Sequence, residues 1–420
     1  MNRALYTLLV MLLLPFAWLR LHWRASKEPG YGQHIGERYG RYGLKPSRPV
    51  IWLHAVSVGE TRAAAPLIAA LEARCPDHQI LLTHMTATGR ATGEALFGQR
   101  VLSCYLPYDA PFAVERFLDH FRPSLGLIME TEIWPNLIAA CHARRMPLWL
   151  VNARLSPKSA ARYARLPKFT RQCLTQLAGI CAQTADDAQR LRTLGAPAVH
   201  ICGNVKFDIT PPAPMLALGA TLRERFGMGR PVFLAASTRE GEEEIVLDAI
   251  SQMKVVGLLT VIVPRHPQRF DAVAALIGKR GLSFSRRSAD QAIAGTVDVV
   301  LGDSMGEMFA YYAACDVAFV GGSLMPLGGQ NLIEACAVGI PVLVGRHTFN
   351  FADAAEQAVA CGAASRVDDA EVLAREAARL LMDRNARLAM GAAGRDFAAA
   401  HRGAVERILA MVAAASLPNP

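Results

Sequence analysis

The chain has 420 residues, 52% of them apolar and 19% charged, which excludes a disordered or fibrous protein and is too long for one ordinary core. Its formal charge of +9 calls for an anionic partner, a membrane surface or a nucleic acid. Nucleic acid is set aside, because no lysine-rich tail, zinc-finger spacing or aromatic RNA-binding motif occurs. The first predicted element is the uncharged run Ala4 to Leu19, flanked by Arg3 on one side and Arg20, Arg24 and Lys27 on the other. As a helix it reaches only about 24 Å, slightly short of a hydrocarbon core. No small-residue cleavage site follows, and Trp18 and Trp23 sit at its end instead. Residues 1–30 are therefore read as an uncleaved inner-membrane anchor, spanning or lying flat, with the heavier basic load placing the body on the cytoplasmic face.

From Pro49 onward short apolar strands alternate with helical stretches: VIWLHAV, QILLTHM, SLGLIME, PLWLVNA, GICAQT and VHICG. The proline-rich break Thr210 to Pro214 marks a linker, after which the rhythm resumes with PVFLAAST, LLTVIVPRH, VDVVLGD, CDVAFVGGS and PVLVG. This predicts two α/β domains with parallel sheets, residues 31–209 and 210–420. Nine scattered cysteines, odd in number and without a CxxC pair, read as small buried hydrophobes in a reducing compartment.

Ligands of such sheets bind beyond the carboxyl ends of the strands, so the residues just after each strand carry the chemistry. In the first domain these are Glu60 at a helix start in HAVSVGE, Glu130 and Glu132 in METEIWPN, and Lys206 in GNVKFD. A carboxylate at a helix N-terminus is kept ionised and suits a general base, and a lysine neutralises charge developed during transfer; helix capping and a solvated lysine are the bland alternatives. In the second domain the strand ends carry Pro264 and Arg265, then Met305, Gly306 and Glu307, then Asn331 to Glu334 behind two glycine pairs. Glycines let a backbone approach a phosphate, a guanidinium holds it, and Glu334 suits ribose hydroxyls. Three such sites at successive strand ends point to a nucleotide pocket. The basic run Arg154, Lys158, Arg162, Arg165, Lys168 and Arg171, interrupted by Pro157 and Pro167, is either a solvated face or a surface for anionic lipid. No paired acids with a suitable His are present, so no metal site is expected.

Taken in order, RLHWR, GERYG, HAVSVGE, METEIWPNLI, NARLS, GNVKFD, AASTREGEEE, VPRHPQRF, GDSMGEM and FVGGSL…GGQNLIEACAVGIPVLVGRHTFNF resemble the 3-deoxy-D-manno-octulosonic acid (Kdo) transferases of lipopolysaccharide synthesis. The resemblance covers nearly the whole chain. It implies a GT-B fold, two Rossmann-like domains with the active site in the cleft. It further implies transfer of Kdo from CMP-Kdo to the tetraacyl disaccharide bisphosphate precursor of lipid A, with inversion and without a metal or other cofactor. By the same resemblance Glu60 is the general base, and Glu130 and Lys206 stabilise the transition state. Pro264, Arg265, Met305, Gly306, Glu307, Asn331, Leu332, Ile333 and Glu334 bind CMP. Arg90, Arg154 and Arg162 are candidates for the anionic acceptor. One position departs from the pattern: many members carry His where this chain has Gln330, which can hydrogen-bond but not take a proton at neutral pH. The alternatives are a UDP-sugar transferase or epimerase of the same fold, or a non-enzymatic binder of anionic lipid.

Overall fold

A computed structural model describes residues 2–416. They form two α/β units, one made of residues up to Asp208 together with those from Arg402, the other running from Ile209 to His401. The first unit holds strands β1 (Val50–His54), β2 (Gln79–His84), β3 (Val101–Tyr105), β4 (Leu125–Met129), β5 (Leu148–Ala153), β6 (Gly179–Ala182) and β7 (Val199–Ile201). The second holds β8 (Val232–Thr238), β9 (Leu259–Pro264), β10 (Phe284–Arg286), β11 (Val299–Leu301), β12 (Val317–Val320), β13 (Val342–Val344) and β14 (Ala364–Arg366).

Each unit is one seven-stranded sheet, ordered β3-β2-β1-β4-β5-β6-β7 and β10-β11-β9-β8-β12-β13-β14. The recorded pairings are parallel throughout, as strands joined by helices require. The central strands are apolar on both faces because helices cover both. Along β1, Val50 and Trp52 enter one core with Leu81 and Phe117, while Ile51 and Leu53 enter the other with Leu67 and Leu127. Inside the first of these, the Trp52 indole N–H donates to Thr83 Oγ1 at 2.7 Å, so the ring is buried without losing a hydrogen bond. Strand order reverses between β1 and β4 in one unit and between β8 and β12 in the other, and these are the crevices where such sheets take ligands.

All eleven strands expected from the sequence form, and three more join them: β3, β10 and β14. Each of these three is at a sheet edge or is interrupted by polar residues, so none carries a long apolar run. The expected division at residue 210 needs one correction. The helix Ala404–Ser416 returns to the first unit, where Ala404, Val405, Ile408, Leu409 and Val412 pack with Leu67, Leu71 and Cys202. The sequence shows that this helix has an apolar stripe but not which core the stripe fills. Asp208 holds the start of this helix, its carboxylate accepting the Gly403 and Val405 N–H groups at 2.5 Å each. Replacing Asp208 by Ala is expected to cost about 1–2 kcal/mol, the usual range for a lost cap, and to speed amide exchange over Ala404–Ser416. Unchanged exchange there would show that apolar packing alone holds the helix.

Candidate active site

Glu60 lies in the first turn of the helix Val58–Ala63, which Ser57 caps just beyond β1. One carboxylate oxygen accepts the Val56 N–H at 2.8 Å and the other accepts the Ser57 hydroxyl at 2.9 Å. The side chain is thus a cap, but not an ordinary one. Burial pushes its pKa up to about 7, and the negative charges of Glu130 and Glu132 add to the rise, against the pull of the Val56 N–H and the Ser57 hydroxyl. The expectation that the helix start keeps Glu60 firmly ionised is corrected: desolvation outweighs the helix dipole and leaves the group poised near neutrality.

Glu130 follows β4, the strand beside β1, and adopts a left-handed backbone with φ of 57° while its N–H donates to the Val151 carbonyl at 2.9 Å. Its carboxylate stands 3.7 Å from Lys206 Nζ. The lysine is delivered by the short turn Val205–Phe207, which Asn204 caps through the Lys206 N–H. A residue missed in the sequence places that turn: Asn152, at the end of β5 with φ of 52°, accepts the Val205 N–H at 3.1 Å on its side-chain oxygen. The only signal was a polar residue in an otherwise apolar strand. A non-glycine residue in this conformation is held by its surroundings, and two of them next to one ion pair mark a site built for position.

In the second unit, Arg265 extends from β9 with its N–H on the Thr238 carbonyl and its Nε donating to Gln330 Oε1 at 3.2 Å. The departure at Gln330 therefore has a structural consequence: its amide oxygen orients the Arg265 guanidinium. Asn331 Oδ1 accepts the Ile333 N–H and its Nδ2 donates to Glu334 Oε1, both at 3.1 Å, so one side chain fixes the helix Ile333–Val338 and the expected ribose partner. Leu332 and Ile333 are fully buried, so their side chains serve the core and leave only their main chain for a ligand. Glu307 is held by Arg287 at 3.2 Å and by the Ser304 hydroxyl at 2.7 Å. Met305 is half exposed, and Gly306 has φ of 83° with open space where a Cβ would stand. Backbone conformation, not crowding, requires glycine there.

The first part of the glycine-rich turn after β12 is held from within the unit. The N–H groups of Gly322, Ser323 and Leu324 are turned inward onto Glu242, a carboxylate with no exposed surface. Glu242 accepts from Gly322 at 2.5 Å, Ser323 at 2.9 Å and Leu324 at 3.0 Å, and from Arg239 at 2.9 Å. It ties the turn after β8 to the turn after β12 across the strand-order reversal. Glu242→Ala leaves three buried N–H groups and the half-buried Arg239 N–H without an acceptor and is expected to destabilise the protein by about 3 kcal/mol or more, read by urea unfolding. Stability equal to wild type would mean that the turn finds other acceptors. The β8 end also supplies Arg239. Its charge, with those of Arg265 and Arg269, adds to desolvation in holding His266 below its ordinary pKa. The ends of β11, β9, β8 and β12 are consecutive in the sheet, so the expected donor segments share one edge with the previously unassigned Arg239 among them.

The acceptor candidates separate. Arg90 is corrected: it is buried against Glu37 at 2.7 Å and Glu94 at 2.8 Å, with Tyr105 beneath its guanidinium, and is committed to the core. Arg154 is half-buried after β5, and Arg162 is exposed on the helix Pro157–Ala164. Pro157 and Pro167 each begin a helix where the sequence suggested interruptions of one basic stripe. Among the described residues no group of three or more His, Cys, Asp or Glu side chains is gathered as metal ligands would be.

The chain is similar to known proteins along nearly its whole length. Residues 33–209 match the family model for 3-deoxy-D-manno-octulosonic-acid transferase (kdotransferase), and residues 245–397 match that for glycosyl transferases group 1. The 3-deoxy-D-manno-octulosonic acid transferase of Bordetella pertussis is 46% identical over 97% of this chain and 98% of its own length. That of Haemophilus influenzae is 39% identical over 97% of each. A glycosyltransferase structure from Rickettsia africae shares the fold, with a TM-score of 0.57 at 14% identity over 88% of this chain and 98% of its own. With two relatives matched almost end to end and the fold shared with a solved glycosyltransferase, the chain belongs to the 3-deoxy-D-manno-octulosonic acid transferase family and is a glycosyltransferase of GT-B fold.

Proposed function

We propose that the protein transfers Kdo from CMP-Kdo to the tetraacyl disaccharide bisphosphate precursor of lipid A, with inversion at the anomeric carbon and without a metal ion, at the cytoplasmic face of the inner membrane. The observation that carries the reading is the Glu60 carboxyl, poised near neutrality one strand away from the Glu130–Lys206 ion pair. In the proposed step Glu60 takes the proton of an acceptor hydroxyl as its oxygen bonds to the anomeric carbon. The bond from that carbon to the CMP phosphate breaks, and the electron pair leaves with CMP. Attack from the face opposite the leaving group inverts the centre. Lys206, oriented by Glu130, balances negative charge on the sugar carboxylate or the departing phosphate. On the second unit, Arg265 and Arg239 supply positive charge for the donor phosphate, and Glu334 accepts from ribose hydroxyls. CMP is a stable monophosphate leaving group, so no cation is needed to cover a diphosphate.

The test is transfer by purified protein with CMP-Kdo generated in situ, a tetraacyl lipid A precursor and excess EDTA. Product carrying Kdo is expected, and its mass counts the sugars added. Absence of product from well-folded protein, or stronger protection against heat by UDP than by CMP, would instead favour a UDP-sugar donor.

A further inference from the structure

The N-terminal helix runs from Arg3 to Lys27, longer than its apolar core, and is long and apolar enough to cross a membrane. Its packing argues for another arrangement. Tyr6, Thr7, Val10, Leu14, Ala17, Leu21, Arg24 and Ala25 are the positions shielded by protein, and their spacing follows one helical face from the first turn to the last. At the N-terminal end the Tyr6 hydroxyl donates to Asp109 Oδ2 and the Thr7 hydroxyl to Asn136 Oδ1, each at 2.9 Å, while the Tyr6 ring meets Phe169 at 5.7 Å. At the other end Leu21 is buried, and the Arg24 guanidinium lies 4.2 Å over the ring of Tyr31. That segment is in turn tied to the first unit by the Tyr105 hydroxyl on the Gly30 carbonyl at 3.4 Å.

Both ends of a helix about 36 Å long are therefore fastened to the same folded unit. If the helix crossed a hydrocarbon core of about 30 Å in this state, the flank bearing Asp109 and Asn136 would have to cross with it, at a large cost in desolvation. The opposite face of the helix carries Leu5, Leu8, Leu12, Phe16, Leu19 and Trp23, each at least 47% exposed, at spacings of three and four. Beside its N-terminal end, the helix Pro167–Thr175 that bears Phe169 also exposes Lys168 and Arg171.

We propose that the helix does not span the bilayer. It lies in the plane of one leaflet, joined lengthwise to the first unit, with its outer apolar stripe at the acyl boundary and the neighbouring cations on anionic phospholipid headgroups. The N-terminus then stays on the same side as the folded body. Asn136, which accepts Thr7, stands at the start of the helix following Glu130 to Trp134, so this docking holds the acceptor-side loop at the membrane surface. The inference rests on the membrane location proposed above, and the experiment separates the two.

Full-length protein with a short neutral epitope before Met1 is expressed in Gram-negative cells, and protease is added to intact spheroplasts and to inverted membrane vesicles. The epitope is expected to survive in spheroplasts and to be cut in inverted vesicles. Cutting from outside intact spheroplasts would establish a spanning helix and overturn the in-plane arrangement while keeping the membrane location. Recovery of the protein in the soluble fraction would overturn the membrane location itself. A second variant, Tyr6→Phe with Thr7→Val, keeps the helix apolar and removes both bonds. It is expected to lower the midpoint of thermal unfolding by several degrees, whereas an unchanged midpoint would show a helix that is only a tether and overturn the docking.

Discussion

Glu60→Gln is expected to lower kcat by about 10²- to 10⁴-fold while leaving CMP affinity within about twofold of wild type, because general-base catalysis supplies a factor of that order. Glutamine is nearly the same size and keeps an oxygen that can accept the Val56 N–H or the Ser57 hydroxyl, so the helix start should persist. The pH dependence gives a sharper test. With its carboxyl at about 7, wild-type kcat/KM should fall roughly tenfold per pH unit below that value, where Glu60 keeps its proton, and level off above it. The same raised pKa has a stability consequence of opposite sign to the usual acidic group. The folded state holds the proton more tightly than the unfolded chain, so this contribution is present below the ordinary carboxylate range and is lost as pH rises through about 7. Glu60→Gln should therefore gain in stability over wild type between about pH 4.5 and 7 and keep that margin above, as measured by urea unfolding across pH. Full activity in the glutamine variant would return Glu60 to a capping role.

Lys206→Met is the second large effect, with kcat expected to fall about 10²- to 10³-fold, as when one preorganised group that meets transition-state charge is removed. CMP affinity should be unchanged where the lysine meets the sugar carboxylate and should fall where it meets the departing phosphate, so a CMP titration separates the two roles. Glu130→Gln should act through the same pair, which stands at 3.7 Å. The double variant is then expected to lose much less than the product of the two single losses. Single-turnover rates for the four proteins decide this. A Lys206→Met enzyme within about threefold of wild type would make the lysine an ordinary solvated one.

How far the site could be read in advance varied from residue to residue. Arg265, Glu307, Asn331 and Glu334 follow apolar strands and are residue types that meet nucleotides, so strand-end logic singles them out as candidates. Arg90 was misjudged because a lone arginine in a sequence does not reveal Glu37, 53 positions away, as its partner. Asn152 and Glu242 were passed over because neither has a local pattern. Each works by accepting backbone N–H groups from a segment far along the chain. The glycine pairs were recognised as a tight turn, but the sequence did not show that the N–H groups of Gly322, Ser323 and Leu324 converge on a buried carboxylate.

Local chemistry was enough to specify the alternating strands and helices, the apolar N-terminal helix, the break near Thr210 and the family motifs, because periodicity, proline and glycine act within a few residues. The edge strands β10 and β14, the return of Ala404–Ser416 to the first unit, the near-neutral Glu60 and the two-ended docking of the N-terminal helix were decided only by the tertiary structure. An edge strand borrows its conformation from the neighbour it pairs with, and an amphipathic helix does not name the surface it will cover. A carboxyl's proton affinity depends on how much water and which charges the fold leaves around it. Each of these is set by contacts between residues distant in the chain.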